Sequence, residues 1–545
     1  MFLGKSNLTT GNSMNIFIQT AMDTTADAGM NYFISLYGFP PGYIGNQIPL
    51  HRVTPENPVI ITDHIHGWIT WNDAKIPVLQ KPADLSHRGE ALLTYTDGTV
   101  SYPCAVIRDN DITISLDIFS HLGLFVSGYL EKIWNTLKDK KKEIIAIPFA
   151  DYYCDFLFSC IRIAQKNARV PLVHKSFWPE GKTCAVCLTH DVDEVKKTYQ
   201  WITYPLKLIK RGNLGNLKLQ FRSLSQKLKG NEPYWTFDEI LRVEGSRKVK
   251  SSFYFLKETG KVRISDRKTW RHYGRRYNFN TIRVRELLRD LNSRGWEVGL
   301  HGSFYSYLNP EMLQDEKEAL EQSAGASVRG GRQHNLNLKI PETWLNQERA
   351  GLSYDTTLGY NDCLGFRWGI SFPFRPYYSE EKRNLDIVQI PLTIEDLPYF
   401  RSQQPFDQFL KIFKNVRHTQ GVLTLLWHHS VFNENEFPGW ESDYIKILDY
   451  CKEQNAWIGS GRQVHEWWTR REETRIDWEY DRALLKIIPY PLGEQHCITI
   501  YPPEKMKIKD IKNAGIVSSD ESSVIIKTQN IDHSEIVEII FTEIS

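Results

Sequence analysis

Between residues 182 and 475, short apolar runs alternate with amphipathic segments. The apolar runs predict strands at 185–189, 251–256, 297–301, 385–391, 422–428 and 457–459. The segments between them repeat apolar residues at helical spacing and predict helices at 282–294, 310–323, 341–349, 406–416, 443–454 and 463–473. Strands that alternate with helices form parallel sheets with the helices outside. The pattern therefore predicts an α/β fold, as an open sheet or a barrel.

The apolar pattern changes on both sides of this region. Before it, strand-like runs are followed by helical patterns at 118–138 and 152–166, which predicts a small α/β domain. The strand-like runs lie at 59–62, 76–79, 91–95 and 100–107. After residue 478, short alternating runs broken by Pro, Gly, Asn and Asp predict a small all-β module. We expect four parts: an N-terminal extension (1–30), an α/β accessory domain (31–178), the repeated α/β region (179–475) and a β-rich module (476–545).

A strongly basic insert, residues 194–230, interrupts the repeated region. Its only acid is Glu194, and its cations are Lys196, Lys197, Lys207, Lys210, Arg211, Lys218, Arg222, Lys227 and Lys229. Large apolar residues, such as Leu206 and Phe221, are interleaved with them. A basic amphipathic segment beside an active site is typical of contact with an anionic lipid head group or a phosphorylated sugar carrier. The alternative is a helical lid that packs on the scaffold and leaves its lysines in solvent.

Composition narrows the class of protein. With 545 residues, 41% apolar and 24% charged, the chain can bury several cores, and its net charge of +2 argues against a dedicated nucleic-acid binder. Neither a signal peptide nor an apolar run of membrane-spanning length is visible, so we expect a cytoplasmic protein, with the basic insert as a candidate for membrane association. Cys184 and Cys187 form a CxxC pair, but inside a predicted strand they would point to opposite faces. We therefore expect buried thiols rather than a zinc knuckle.

The first predicted strand ends in two carboxylates, in the stretch Leu188-Thr189-His190-Asp191-Val192-Asp193. Residues i and i+2 of a strand share a face, so the two aspartates can converge on one point. Neighbouring carboxylates repel each other, and a bound cation relieves that repulsion. The spacing indicates a metal site at the carboxyl end of the strand.

Two further predicted strands end in histidine. One ends on His301, which Gly302 follows, and another ends on His428-His429. Chemistry in parallel α/β folds lies at the carboxyl ends of the strands, where these residues would meet Asp191. His301 is a candidate metal ligand. His428 is a candidate general acid because the pKa of imidazole lies near neutral pH, and His429 is the alternative.

A glycine pair precedes Arg332 and His334, and a tight turn there would let both side chains face the same way. An arginine can orient a catalytic carboxylate by a bidentate contact and hold its pKa down. His334 would be either a further metal ligand or a substrate contact. Trp368 lies in a loop-rich stretch with aromatic and guanidinium groups, which suits a sugar-pocket wall and ordinary loop packing almost equally.

Together these motifs resemble the polysaccharide deacetylase family (carbohydrate esterase family 4) over roughly residues 182–470. The stretch Thr189-His190-Asp191-Val192-Asp193 resembles the Asp-Val-Asp variant of the first family motif. His301 resembles the first position of the His-x-x-x-His motif, and Arg332-Gln333-His334 resembles the Arg-x-Pro motif. The run Leu426-Trp427-His428 resembles the Leu-x-His motif, and Trp368 is only a candidate for the fourth motif. The resemblance implies a distorted (β/α) barrel of about seven strands.

The resemblance also implies roles for these residues. By this match Asp191 would be the general base, Arg332 its partner and His428 the acid that protonates the leaving amine. Asp193 and His301 would bind the metal. Leu426 would line the acetyl pocket, with Trp368 and Trp427 as further substrate-binding candidates.

The sequence departs from the family pattern at one metal ligand. Four residues after His301 stands Tyr305, where the family has a second histidine. His334 stands where the family usually has a proline, and it is the candidate replacement. Zinc and similar ions need about three protein ligands and an open position for water. Asp193, His301 and His334 would meet that count.

The resemblance implies a metal-dependent hydrolase that removes N-acetyl groups from an amino sugar, with a divalent metal, expected to be zinc, as its cofactor. The substrate would be a polysaccharide or a glycan precursor, including a lipid- or nucleotide-linked one. A related subgroup carries an extra N-terminal α/β region and accompanies surface-polysaccharide synthesis. Two alternatives stay open: a non-catalytic glycan-binding or scaffold protein on a decayed deacetylase fold, and a hydrolase of non-sugar linear amides or cyclic imides.

Overall fold

The chain divides into two compact units. A computed structural model describes residues 14–40, 43–46, 48–55, 64–133, 144–166, 168, 170–210, 217–258, 265, 277–479, 482–489, 495–529 and 536–544. The first unit consists of Met1–Ile144, Phe149–Gly181 and Trp467–Ser545, and the second of Ile145–Pro148 and Lys182–Glu466. The predicted accessory domain and the predicted β-rich module therefore fall largely in one unit, and the second unit interrupts the first along the chain.

The amino-terminal part of the first unit is a seven-stranded sheet with helices. Its strands are β1 Asn15–Gln19, β2 Leu50–Val53, β3 Gly67–Trp71, β4 Ala74–Val78, β5 Glu90–Thr96, β6 Ser101–Arg108 and β7 Asp111–Ile114; β8 Leu172–Lys175 pairs elsewhere. The sheet order is β2-β1-β7-β6-β5-β3-β4. Its helices are α1 Thr24–Tyr37, α2 Tyr43–Asn46, α3 Ile118–Val126, α4 Tyr129–Ile133 and α5 Phe149–Gln165. The expected extension 1–30 thus contains β1, which has parallel neighbours on both sides; the predicted strand at 59–62 lies outside the described residues.

The second unit is built on a nine-stranded parallel sheet. Its strands, with one separate hairpin (β14 and β15), are β9 Ala185–Val192, β10 Ser252–Leu256, β11 Glu297–Gly302, β12 Gly330–Gln333, β13 Tyr354–Asp355, β14 Tyr377–Tyr378, β15 Arg383–Asn384, β16 Val388–Gln389, β17 Ile394–Glu395, β18 Val422–Leu426 and β19 Trp457–Gly459. The order is β16-β13-β12-β11-β10-β9-β18-β17, and β19 also pairs with β9. The helices are α6 Gln200–Lys210, α7 Leu217–Leu228, α8 Phe237–Ser246, α9 Ile282–Ser293, α10 Pro310–Ala324, α11 Glu342–Arg349, α12 Asp396–Arg401, α13 Pro405–Thr419 and α14 Trp440–Glu453. A further helix, α15 Gly461–Glu473, begins in this unit and continues into the first.

The sheet of the second unit curls toward closure. Its two end strands, β16 and β17, are consecutive in the chain. Between them Ile390 donates a backbone hydrogen bond to Asp355 O (2.9 Å), and Thr393 donates one to Thr424 O (3.2 Å). One extended segment therefore contacts both ends of the sheet, and the predicted α/β barrel class is confirmed. The sheet has nine strands rather than about seven, and three of them (β13, β16 and β17) are only two residues long.

Strand β9 lies near the middle of this sheet, and every residue in it is buried. A strand with parallel neighbours is covered on both faces, which explains its continuous apolar run before the polar end. The register aligns the functional ends of the strands, because Asp191 pairs with Tyr254 and His301 pairs with Arg332. Cys187 in the same strand is a buried free thiol, as is Cys184 just before it.

The carboxyl-terminal part of the first unit consists of two four-stranded sheets. Its strands are β20 Arg475–Glu479, β21 Leu484–Ile488, β22 Cys497–Tyr501, β23 Met506–Lys512, β24 Ala514–Ser519, β25 Val524–Thr528 and β26 Val537–Glu543. The sheet orders are β20-β21-β26-β23 and β24-β25-β22-β8. Strand β8, from before the barrel, thus completes the second sheet. Val173 of β8 shares one apolar core with Ile498, Ile526 and Ile539.

No helix in the described part of the chain combines the length and the hydropathy that a membrane span requires.

Candidate active site

Arg332, from β12, is the buried centre of the site. Its Nη1 donates to Asp191 Oδ1 (2.8 Å), and its Nη2 donates to Thr189 Oγ1 (2.9 Å). The remaining nitrogen, Nε, donates to Thr356 O (3.1 Å). All three guanidinium nitrogens therefore have an acceptor, although the side chain is only 1% exposed. This arrangement fixes Arg332 and occupies one carboxylate oxygen of Asp191.

Asp191 is a buried carboxylate that stays ionised. Burial alone would raise its pKa, but the Arg332 guanidinium, with His301 and His428, holds the pKa of Asp191 below its ordinary value. The second oxygen, Oδ2, lies 3.6 Å from His301 Nε2. Asp191 can therefore accept a proton from a group that is bound between it and His301.

Asp193, His301 and His334 converge on one point. Potential ligand atoms of the three residues all lie within 4.8 Å of one another. His301 Nε2 lies 3.2 Å from Asp193 Oδ1, and His334 Nε2 lies 3.9 Å from Asp193 Oδ2. The imidazoles are buried, while the Asp193 side chain is 14% exposed, so the cluster opens toward solvent on the aspartate side.

The donor set of this cluster fits a divalent cation. His301 Nδ1 lies 2.9 Å from Arg332 O, and donation there leaves the Nε2 lone pair directed toward Asp193. Metal-binding histidines are oriented by such a bond on their other nitrogen. His334 Nδ1 lies 3.8 Å from the buried Glu258 Oε2, a carboxylate on the side away from Asp193. Two imidazoles and one carboxylate are the donors that zinc and similar ions take in sites with an open position.

Tyr305, at the position where the family motif has a second histidine, is not part of this cluster. Its side chain is 42% exposed, and its ring contacts Phe304 edge-on at 5.0 Å between centroids. His334 lies in the cluster instead, with its ring centroid 5.2 Å from that of His301.

His428 forms a pair with Asp396, a residue that the sequence analysis missed. The backbone N–H of His428 donates to Asp396 Oδ2 (2.5 Å), and His428 Nδ1 lies 3.0 Å from the same oxygen. Burial is the largest single influence and lowers the pKa of His428, but Asp396, with Asp193 and Asp191, holds that pKa well above its ordinary value. The pair leaves Nε2 of a protonated imidazole free of Asp396.

Glu395, the residue before Asp396, is also a buried carboxyl group, but its pKa is raised where that of Asp191 is lowered. Burial raises the pKa of Glu395 to about 8, against the lowering effect of the His428 charge, and Asp396 and Asp191 add to the rise. Within the described residues its Oε2 is buried without a hydrogen-bond partner. Glu395 therefore holds its proton more tightly than Asp191 does. Ligand atoms of Glu395, Asp396 and His428 also lie within 4.8 Å of one another.

Two neighbouring histidines have structural contacts. His429 is fully buried, with Nδ1 3.1 Å from Asp191 O and Nε2 3.1 Å from Tyr234 O. His190 lies 2.9 Å from Glu244 Oε1 through Nε2, on the face of β9 away from Asp191. Of the two histidines that follow β18, His428 is the one whose ring contacts the Asp396 carboxylate.

The predicted substrate-binding residues separate into two groups. Leu426 is buried in a small apolar cluster with Leu336 and Leu392. Trp368 and Trp427 are at most 1% exposed. Both indoles pack among other aromatic rings, and their expected contact with substrate stays a prediction.

The structure thus gathers six of the predicted residues around one centre: Asp191, Asp193, His301, Arg332, His334 and His428. It adds Asp396 and Glu395, and it leaves out Trp368 and Trp427. Asp396 could have been suspected only from its place two residues after a short apolar run, which is a weak signal.

No protein-family model matches the chain. No curated protein matches it either. Among solved structures it is similar to a "putative polysaccharide deacetylase" from Mycobacterium smegmatis (18% identity over 57% of this chain and 97% of the other, TM-score 0.36). It is also similar to the PuuE allantoinase (12% identity over 54% of this chain and 92% of the other, TM-score 0.35). A third similar structure is a CE4 family pseudoenzyme from Bacillus anthracis (13% identity over 52% of this chain and 66% of the other, TM-score 0.26). These structures include the deacetylase family that the sequence motifs resemble, but they differ in activity, so the chemistry of this chain follows from its own side chains.

Proposed function

We propose that this protein is a metal-dependent hydrolase that removes N-acetyl groups from an amino sugar. The observation that carries the proposal is the joint placement of three groups at one end of the barrel. These are an ionised aspartate held by Arg332, the Asp193–His301–His334 cluster, and the His428–Asp396 pair.

Asp191 is the proposed general base. Arg332 occupies Oδ1 and keeps the carboxylate ionised, which leaves Oδ2 to accept the proton of an attacking water. Because Arg332 is itself fixed by Thr189 and Thr356, the carboxylate keeps one orientation through the reaction.

His428 is the proposed general acid. Asp396 holds Nδ1 and the protonated state, so Nε2 can donate a proton to the nitrogen of the amide as its C–N bond breaks. The products are acetate and a free amine. The hydrogen bonds between Asp396 and His428 favour this role over cation binding by the same residues.

Asp193, His301 and His334 would hold the divalent cation, which we propose to be zinc. When bound, such an ion polarises a carbonyl group and acidifies water. His301 is aligned for this by the carbonyl of Arg332, the same residue that orients Asp191. One arginine therefore positions both the base and a metal ligand.

Leu426, which lies in a small apolar cluster with Leu336 and Leu392, stays the predicted lining of the acetyl pocket. We propose an N-acetylated sugar in a polysaccharide, or in a lipid- or nucleotide-linked precursor for surface polysaccharide, as the substrate. The cytoplasmic location expected from the sequence stays a prediction.

Acetate release from N-acetylglucosamine oligomers, measured with and without added zinc, tests the proposal. The Asp191→Asn variant should keep one bound metal equivalent and lose acetate release by at least about a hundredfold, since a positioned base contributes that much or more. The Asp193→Asn variant is the matched control, and it should lose metal as well as activity. Full turnover in Asp191→Asn would remove this residue from the base role.

The same measurements separate the alternatives. A protein that binds no zinc and releases no acetate would favour the non-catalytic scaffold. A protein that binds zinc and hydrolyses linear amides or cyclic imides, but no acetylated sugar, would keep the site and change the substrate.

A further inference from the structure

Helices α6 and α7, called here the basic helical pair, carry an exposed apolar stripe. On α6 the exposed residues are Ile202 (67%), Leu206 (58%) and Ile209 (54%). On α7 they are Phe221 (69%), Leu224 (42%) and Leu228 (80%). Spacings of three, four and seven residues put each set on one face of its helix. Large apolar residues grouped in this way on a surface mark a binding face.

The other side of the basic helical pair packs on the barrel unit. Lys197 Nζ, just before α6, lies 2.8 Å from Glu436 Oε2, and both side chains are at most 2% exposed. Ser223 and Gln220 of α7 donate to the same carboxylate at 3.0 Å and 3.2 Å. Glu436 belongs to the segment that follows His428. The helices are therefore anchored beside the candidate active site, and the exposed stripe is not the side that packs on the scaffold.

The exposed stripe is surrounded by positive charge. The exposed cations in the described part of this region are Lys196, Lys207, Lys210, Lys218, Arg222, Lys227 and Lys229. No Asp or Glu occurs in the sequence between Glu194 and Glu232. The net charge of the whole chain is only +2, so this excess is local.

We infer that the basic helical pair docks on an anionic lipid surface. Apolar side chains that enter the boundary between head groups and acyl chains, flanked by lysines that reach phosphate groups, are the features of an interfacial amphipathic helix. A nucleic acid would use the cations but not the aliphatic stripe, and a partner protein would have to bury that stripe beneath a matching acidic rim. The lipid surface uses both features at once.

Docking in this orientation brings a lipid surface to the end of the barrel that carries His428. If the proposed function holds, an acetylated sugar on a lipid carrier would then reach the site directly. Only this consequence rests on the proposed function. The lipid contact itself depends on α6 and α7 alone.

Sedimentation with vesicles tests the inference on the purified full-length protein. Phosphatidylcholine vesicles serve as the neutral surface, and vesicles that also contain phosphatidylglycerol serve as the anionic one. We expect binding to the anionic vesicles that weakens with added salt. The double variant Phe221→Ser with Leu228→Ser should weaken that binding at least about tenfold, since each buried apolar side chain contributes about that much or more. Lys218→Gln with Arg222→Gln should weaken it about fivefold per charge and reduce the salt dependence.

The matched control variants change exposed residues elsewhere on the surface. Ile282 is 71% exposed and Ile516 is 58% exposed, and their double serine variant should bind vesicles like the wild type. Lys411→Gln with Lys414→Gln on α13 is the charge control. Wild-type protein that sediments equally with both vesicle types or with neither would overturn the inference. The inference would also be overturned if the wild type bound no vesicles but formed a dimer by light scattering, and the Phe221→Ser, Leu228→Ser variant lost that dimer.

Acetate release from a soluble substrate distinguishes the two proposals. Vesicle binding without any acetate release would overturn the proposed hydrolase and leave the lipid contact standing. Acetate release without vesicle binding would overturn the lipid contact and leave the proposed hydrolase standing.

Discussion

At the scale of single residues, the carboxylate of Asp396 governs the protonation of His428. It is fully buried and accepts from both the backbone and the ring of that histidine. The negative charge offsets the effect of burial, so the pKa of His428 lies well above its ordinary value of 6.5. The histidine therefore keeps its proton through neutral pH and loses it only in more alkaline solution.

Replacing Asp396 by asparagine tests this control of the acid. The variant keeps a hydrogen-bonding group but removes the charge, so the pKa of His428 should fall, because burial is then opposed only by Asp193 and Asp191. We expect the alkaline limb of the pH profile of kcat/KM to move to lower pH, while the acid limb, which depends on Asp191, stays in place. The measurement is acetate release across the pH range.

Asp443→Asn is the matched control, since Asp443 also accepts a hydrogen bond from a buried side chain, Tyr399 (3.0 Å). It should leave both limbs unchanged. An alkaline limb that does not move in Asp396→Asn would remove His428 from the role of general acid.

The sequence could predict Asp191, Asp193, His301 and His428 as neighbours because each ends an apolar strand. It could not predict Asp396, since β17 has only two residues and its apolar signal is too short to show a strand. It could not show that Trp368 and Trp427 are buried, because an aromatic residue in a motif has the same pattern whether it faces a pocket or the core.

At the scale of elements, β12 explains how Arg332 reaches Asp191. The sequence predicts a tight turn at the two glycines, but Gly330 and Gly331 begin a strand. A Cβ at Gly331 would lie 2.1 Å from the carbonyl oxygen of Leu300, and one at Gly330 would lie 2.1 Å from the Tyr354 ring. The glycines are needed because the neighbouring strands lie close, and a hydrophobic pattern cannot reveal that.

Gly331→Ala should therefore disturb this strand and the residue that follows it. The added methyl group meets backbone, so we expect a loss of about 1–3 kcal/mol in the free energy of unfolding and a loss of activity as Arg332 shifts. Denaturant titration and acetate release measure the two effects. Gly515→Ala in β24, where a Cβ meets nothing within 4 Å, is the matched control and should be near neutral. Equal stability of the two variants would contradict this account of β12.

The other strands and helices of the barrel were largely predictable. Apolar runs located β10, β11 and β19 to within a residue, and the helical pattern did the same for α9 and α10. Strands β10 and β11 are buried along their whole length, and helices α9 and α10 are strongly periodic. The strands that were missed are short and belong to the curling end of the sheet.

At the scale of the whole molecule, one buried carboxylate joins several elements of the barrel. Glu244 of α8 accepts from Tyr444 (2.8 Å) and Trp296 (2.6 Å), and also from Ser251 (2.8 Å). His190 contacts it from β9. This network lies behind the strand that carries Asp191, so it supports the site without entering it.

Glu244→Ala should destabilise the barrel unit by about 3 kcal/mol or more, because its donors are left buried without an acceptor. The free energy of unfolding from denaturant titration is the measurement. Glu311→Ala, at an exposed position on α10, is the control and should change it by less than about 0.5 kcal/mol. A loss as small as that of the control would show that the network adds nothing to stability.

The discontinuous first unit could not be predicted from the sequence. Local patterns indicated a β-rich module after residue 478, yet the pairing of β8 with β22 joins residues more than three hundred positions apart. Ser176 and Thr499 hydrogen-bond across 323 positions of sequence (2.8 Å). The local pattern of apolar residues gives no information about a pairing partner so distant in sequence.

That pairing has a consequence during synthesis. The ribosome releases β8 long before it makes β22. The edge of β8 therefore stays unpaired, and its apolar Val173 stays exposed, while the entire barrel is translated. A nascent chain that stops early, for instance at a premature stop codon beyond the barrel, keeps this edge open. An open edge invites another chain to pair with it, so a truncated product is expected to aggregate even with its barrel intact.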